Sequence, residues 1–134
     1  MILRHVKTTH VNKIWSSAKP LIQKALDHSF NEASIDDIHE QVLQGRQTLW
    51  LGVEAKELVC AGTSSFVVYP QKNVLRINFF ATVSGYAEYL KDLFVQMQDY
   101  GRDNGCDVIE TWSRKGLSKQ INWDHQYYVY SKNL

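Results

Sequence analysis

The sequence predicts one α/β domain built on a mixed sheet, and three observations carry that expectation. Apolar residues recur at helical spacing in the first third of the chain and again from Tyr86 to Tyr100. The stretch between them is instead rich in β-branched and aromatic residues and reads as strands. Its connections are too short for crossovers, so these middle strands run antiparallel, whereas a helix separates them from the next strand. At 134 residues the chain has the size of a single domain.

Ile2 to Val6 reads as a short edge strand. Thr8 or Thr9 could cap the first helix, in which Val11, Ile14, Trp15, Ala18, Leu21, Ile22, Ala25 and Leu26 keep helical spacing. Pro20 falls inside it and predicts a kink or two abutting helices. Ser34 caps a second helix, with Asp36 and Asp37 at the favourable end of its dipole and Gly45 as the stop. Ile35, Ile38, Val42 and Leu43 form its buried stripe.

Thr48 to Val53 is a strand, Glu54 to Glu57 a hairpin turn, and Leu58 to Tyr69 a long second strand. Pro70 to Asn73 turns the chain into a third, Val74 to Phe80. Tyr86, Leu90, Leu93, Phe94, Met97 and Tyr100 then share a helix face, opened by Ser84 or Gly85 and closed at Asn104-Gly105. Asp107 to Trp112 is a strand, Gly116 to Asn122 a short helix or turn, and Gln126 to Ser131 a terminal strand carrying three tyrosines.

Composition narrows the function classes. Hydrophobic residues at 44% and charged residues at 22% exclude a disordered or fibrous chain. Fifteen basic against fourteen acidic residues leave a net charge of +1, with no global field to attract nucleic acid or an anionic membrane. No apolar run approaches the roughly 20 residues of a membrane span. The first residues are too polar and short for a signal peptide, so a cytoplasmic location is expected. Cys60 and Cys106 form no C-x-x-C pair and read as free thiols, with a disulfide as the alternative. The five histidines show no i,i+4 pairing, which argues against zinc.

Local motifs add a resemblance. Leu49-Trp-Leu-Gly-Val53 followed by Glu57-Leu-Val-Cys-Ala-Gly62 looks like a strand–turn–strand signature, and Tyr100-Gly-Arg-Asp-Asn-Gly-Cys106 like a helix end that introduces a fifth strand. In these motifs, and in element order over nearly its whole length, the chain resembles the GNAT acetyltransferases. Val68-Tyr-Pro-x-x-x-Val74-Leu-Arg-Ile, Gly105-Cys-Asp-x-Ile-Glu110 and Arg114-Lys-Gly-Leu117 further resemble small GNAT-like proteins of tailed bacteriophages.

The resemblance implies a GNAT-like α/β fold over residues 1–134, with a mixed, mostly antiparallel central sheet and helices on both faces. It implies acetyl-CoA as cofactor and N-acyl transfer as activity. The family binds pyrophosphate on backbone amides between its fourth strand and the following helix, where a helix N-terminus meets an anion. The corresponding residues are Phe80, Ala81, Thr82, Val83, Ser84, Gly85 and Tyr86, with a single glycine and no Arg or Gln at the head. The Tyr and the Gly-Phe pair that the family carries after its fifth strand are absent from Gly116 to Asp124, where Trp123 is the available aromatic.

Glu110, framed by a splayed strand pair in a low-dielectric cleft, is the candidate general base, with a water held by Asn78 as the alternative. Tyr127, Tyr128 and Tyr130 read as packing residues. Arg114, Lys115 and Lys119 with Trp112 and Trp123 form either a phosphate-binding patch or solvated surface charge. Two functions follow. One is an acetyl-CoA-dependent N-acyltransferase. The other is an inactive GNAT-fold phage protein that binds a phage or host protein, in the host cytoplasm or the virion, with Trp112, Trp123 and Tyr127 as the contact face. Either could self-associate.

Overall fold

The computed structural model describes residues 1–113 and 117–134, including every side chain of these except Ser118 and Lys119. Arg114, Lys115 and the Lys119 side chain lie outside the described residues, and with them most of the expected basic patch and the phage-like Arg114-to-Leu117 motif. In chain order the elements are β1 (Ile2–Val6), α1 (Val11–Leu26), α2 (Ile35–Leu43), β2 (Thr48–Glu54), β3 (Glu57–Tyr69), β4 (Lys72–Thr82), α3 (Leu90–Asp103), β5 (Val108–Thr111) and α4 (Leu117–Ile121). Short 3-10 turns at Thr8–His10 and Ala87–Tyr89 precede α1 and α3.

The strands form one sheet in the order β1-β2-β3-β4-β5. The first three pairings are antiparallel and β5 joins β4 in parallel, so the sheet is mixed and mostly antiparallel. Alternation along each strand then divides the side chains between two cores. Leu49, Ala61 and Ala81 pack with Val11, Ala18, Ile22, Ile38 and Val42 under α1 and α2. Trp50, Cys60, Leu75 and Ile77 pack with Leu93, Phe94, Met97 and Ile121 under α3 and α4. Full burial of each such aliphatic side chain contributes about 1.5–3 kcal/mol, which fixes the helices to opposite faces. No helix among the described residues is long and apolar enough to cross a membrane.

Local chemistry explains the element ends. Ser34 and Asp37 close a reciprocal capping box: the Asp37 amide donates to Ser34 Oγ at 3.1 Å and the Ser34 amide to Asp37 Oδ2 at 2.8 Å. Gly45 and Gly105 take φ of +77° and +78° just past α2 and α3, where a left-handed residue ends the helix. The β2–β3 hairpin turns on Ala55 and Lys56 at φ of +51° and +65°, a geometry that usually recruits Asn-Gly.

Four expectations are corrected. Thr8 and Thr9 sit in a 3-10 turn rather than capping α1, whose flanking His10 makes no side-chain cap. α1 is one helix through Pro20 rather than two abutting ones, and Pro20 lies on the solvent side, where the carbonyl it deprives of a partner can face water. α3 begins at Leu90 behind a 3-10 turn, not at Ser84 or Gly85, since Gly85 sits at φ +91° and interrupts the helical path. Residues 126–131 form no strand: Tyr127, Tyr128, Val129 and Tyr130 are exposed and pair with nothing in their own sheet.

Candidate active site

The site begins with one extra residue in β4. Thr63 pairs with Phe79 and Ser64 with Ile77, which leaves Asn78 as a bulge. A bulge bends its strand. β4 pairs with β5 only from Val74 to Ile77, where β5 ends at Thr111. Thr111 closes the crotch by donating its hydroxyl to the Ile77 carbonyl at 3.2 Å. From residue 78 to 82, β4 therefore has β3 on one side and, among the described residues, no strand on the other.

Polar side chains gather beside the bulge. Asn78 Nδ2 donates to Gln47 Oε1 at 3.2 Å and to Ser65 Oγ at 3.1 Å, and Gln47 Nε2 donates to Gln41 Oε1 of α2 at 2.7 Å. Nearby, Arg76 Nε meets Glu110 Oε1 at 2.7 Å, Arg76 Nη2 donates to the Tyr69 hydroxyl at 3.1 Å, and its guanidinium lies 4.6 Å from the centre of the Trp112 ring. Buried Thr63 Oγ1 has no hydrogen-bond partner among the described residues. Register and alternation put Ser65, Arg76 and Glu110 on the α1/α2 side of the sheet. The unpaired edge of β4 thus meets a polar surface at the bulge. Such an edge can take an extended ligand by backbone pairing and present its end to that surface.

Solved structures with this architecture are numerous. A GNAT family acetyltransferase from Staphylococcus aureus is similar to the chain at 14% identity and TM-score 0.69, covering 99% of this chain and 98% of its own. The ribosomal-protein-alanine N-acetyltransferase of Brucella melitensis is similar at 11% identity and TM-score 0.72, covering 100% of both chains. Aminoglycoside N-acetyltransferase AAC(6')-Iy, solved in complex with CoA, is similar at 14% identity and TM-score 0.72, covering 99% of this chain and 93% of its own. The fold is that of the GNAT acetyltransferases. No protein-family model matches the chain, and no curated protein matches it in sequence.

Within this GNAT fold the expected loop residues divide by environment. Phe80 meets Phe94 edge-on at 5.2 Å between ring centres and covers Gly62, so its side chain belongs to the α3 core. Ala81 and Thr82 are buried, the Thr82 carbonyl accepts from Lys24 Nζ at 2.7 Å, and the Val83 amide donates to Val59 at 2.8 Å. Ser84 and Gly85 are exposed in the turn. The Tyr86 phenol is pushed up by a hydrogen bond to Glu54, and the charge of Glu57 acts in the same direction.

These residues fit the two parts of acetyl-CoA unequally. The open edge of β4 suits an extended pantetheine arm. The loop offers a pyrophosphate Gly85 with open space around it, but Glu54, Glu57 and Glu88 stand at or near the turn. Carboxylates there oppose an anion.

Of the two candidate bases, Asn78 lies at the bulge, and Glu110 is tied to Arg76 rather than resting in apolar surroundings. Arg76, Gln47, Ser65 and Lys24 were missed in the sequence. Arg76 carried a signal: a cation inside the apolar run Val74-Leu-Arg-Ile77 needs a partner, and Glu110 occupies the equivalent inner position of β5. Trp112 is exposed, and Tyr127, Tyr128 and Tyr130, expected to pack, are exposed as well. Trp123 is half-buried, with its ring centre 5.6 Å from that of Phe94.

Proposed function

We propose that the chain is an acetyl-CoA-dependent N-acyltransferase whose cofactor lies along the free edge of β4. The observation that carries this reading is the edge of β4 that runs on unpaired past the end of β5 at the Asn78 bulge, beside a polar surface of Gln47, Ser65, Arg76 and Glu110. Bound acetyl-CoA would supply an activated acetyl thioester. Residues 79–82 hold its arm through backbone groups, and Ser84 to Tyr86 meet the pyrophosphate. Asn78 Oδ1 orients the acceptor amine or a water that takes its proton, with the Arg76–Glu110 pair beside it.

A second reading is favoured by the acidic surroundings of Tyr86 and the exposed Trp112. It is a GNAT fold retained without catalysis, acting in a phage as a virion or assembly component or by binding a host protein. The motif resemblance to tailed-phage proteins supports that setting.

Isothermal titration with acetyl-CoA and with CoA separates the two. Micromolar binding that Ser84→Glu or Gly85→Glu abolishes supports the transferase. No heat and no thermal shift at millimolar cofactor supports the interaction protein.

A further inference from the structure

Three side-chain amides stand end to end between α2 and the β4 bulge. Gln41 Oε1 accepts from Gln47 Nε2 at 2.7 Å, and Gln47 Oε1 accepts from Asn78 Nδ2 at 3.2 Å. Asn78 Nδ2 also donates to Ser65 Oγ at 3.1 Å. Gln47, in the middle, is buried, with 8% of its surface exposed, so its amide depends on these two neighbours rather than on bulk water. The main chain ties the first pair together as well: the Gln41 carbonyl accepts the Arg46 amide at 2.9 Å and the Gln47 amide at 3.3 Å.

An amide has a donor end and an acceptor end, so each member of such a row fixes the next. With Gln41 accepting, Gln47 turns Nε2 toward α2 and Oε1 toward the bulge. Asn78 must then turn Nδ2 inward, which leaves Oδ1 as the atom it offers outward. If the first member donated instead, all three amides would reverse and Asn78 would offer Nδ2. Ser65 suits either direction, because a hydroxyl both donates and accepts, and its Oγ lies 3.3 Å from Asn78 Oδ1 already. The direction is therefore set at the other end. There Gln41 is half-buried, and its Nε2 has no partner among the described residues.

We propose that Gln41 is a positioning residue that sets, through Gln47, which atom Asn78 presents at the bulge. This rests on the reading that Asn78 Oδ1 meets the acceptor amine or its water. An amine, an ammonium or a water donates a hydrogen bond to Oδ1, whereas Nδ2 in the same place would turn a donor against a donor. Gln41 itself touches no reacting atom. Its contribution is the direction of the row, so an acceptor-only side chain at this position preserves the site and a donor-only side chain reverses it. The α2 helix thereby becomes part of the acceptor side of the site, although it lies outside the free edge of β4.

NMR of the labelled full chain tests this by following the Asn78 side-chain amide in wild type, Gln41→Glu and Gln41→Lys. Glutamate at neutral pH only accepts and lysine only donates. Gln41→Arg serves as a second donor-only variant, and backbone amide spectra check that each protein is folded. In wild type and Gln41→Glu, the Asn78 amide hydrogens are expected to be protected from water and to show cross-peaks to Ser65. In Gln41→Lys and Gln41→Arg the same signals are expected to shift and to lose that protection. Asn78 signals that are alike in all four proteins overturn the proposal. So does a Gln41→Glu spectrum that matches the lysine variant, because any change at position 41 would then disturb the bulge whatever its hydrogen-bonding sense. The spectra are recorded without cofactor, so they decide the role of Gln41 separately from the acetyl-CoA titration, whose failure would count against the transferase reading.

Discussion

Arg76 and Glu110 are register partners on the parallel β4–β5 pair, and their side chains meet at 2.7 Å between Nε and Oε1. The contact joins the short edge strand to the long β3–β4 hairpin, one residue before their pairing ends. Tyr69 and Trp112 complete it, one through its hydroxyl and the other through its ring face. Each partner keeps 24% of its side-chain surface exposed, so the pair is screened in part and its value is moderate.

Removing both partners is expected to cost less than the sum of the two single removals. Arg76→Ala strips the carboxylate of its partner and Trp112 of its cation, for about 1–3 kcal/mol. Glu110→Gln is expected to cost about 1 kcal/mol, with a coupling of similar size in the double-mutant cycle. Urea denaturation of the four proteins measures it. Additive effects would mean that the pair contributes nothing of its own.

Thr63 is fully buried and its hydroxyl unsatisfied among the described residues. Thr63→Val keeps the shape and removes a polar atom held away from water. It is expected to be neutral or stabilising by up to about 1 kcal/mol. A loss of that size instead would show that a buried water bonds this hydroxyl beside the bulge.

Gly62 has no room for a methyl group. A Cβ there would run into the Phe80 ring and approach the Phe79 carbonyl oxygen to 2.6 Å. Gly62→Ala is therefore expected to destabilise by about 1–3 kcal/mol and to disturb β4 at the cleft. Thermal unfolding together with the acetyl-CoA titration reads both effects.

Burial pushes the Cys60 thiol up from about 9 to about 11. The fold keeps it neutral while the unfolded chain ionises it at lower pH. Its contribution is fully present below pH 9 and is lost as pH rises through about 11. The loss is expected to reach about 2–3 kcal/mol. Unfolding of wild type and Cys60→Ala at pH 8 and above pH 10 should show the wild type losing more. Parallel losses would contradict it.

Features set by neighbours in sequence were legible. Ser34 announced α2 because a capping box needs only four adjacent residues, and Gly45 and Gly105 marked helix ends because a left-handed residue is a local requirement. The three-strand meander was legible from its short connections. Features set by register were not. Asn78 was singled out for chemistry, but nothing near it announced the bulge, which exists only in its pairing with Thr63 and Ser64. Phe80 was read with the cofactor loop, whereas its side chain fills the space over Gly62. Pro20 left a kink and two abutting helices both open, and that the helix stays whole depends on which side the proline faces. Tyr127 to Tyr130 were misread as a strand, because a strand needs a partner and none pairs with them among the described residues.

The most direct test of the cleft is an amide NMR titration of the labelled chain with acetyl-CoA. The expected result is a set of shifts confined to residues 78–86 and to β5 from Val108 to Thr111, saturating with cofactor. Shifts scattered over α2 or the C-terminal arm, or none at millimolar cofactor, would contradict the account and leave a GNAT fold without its cofactor.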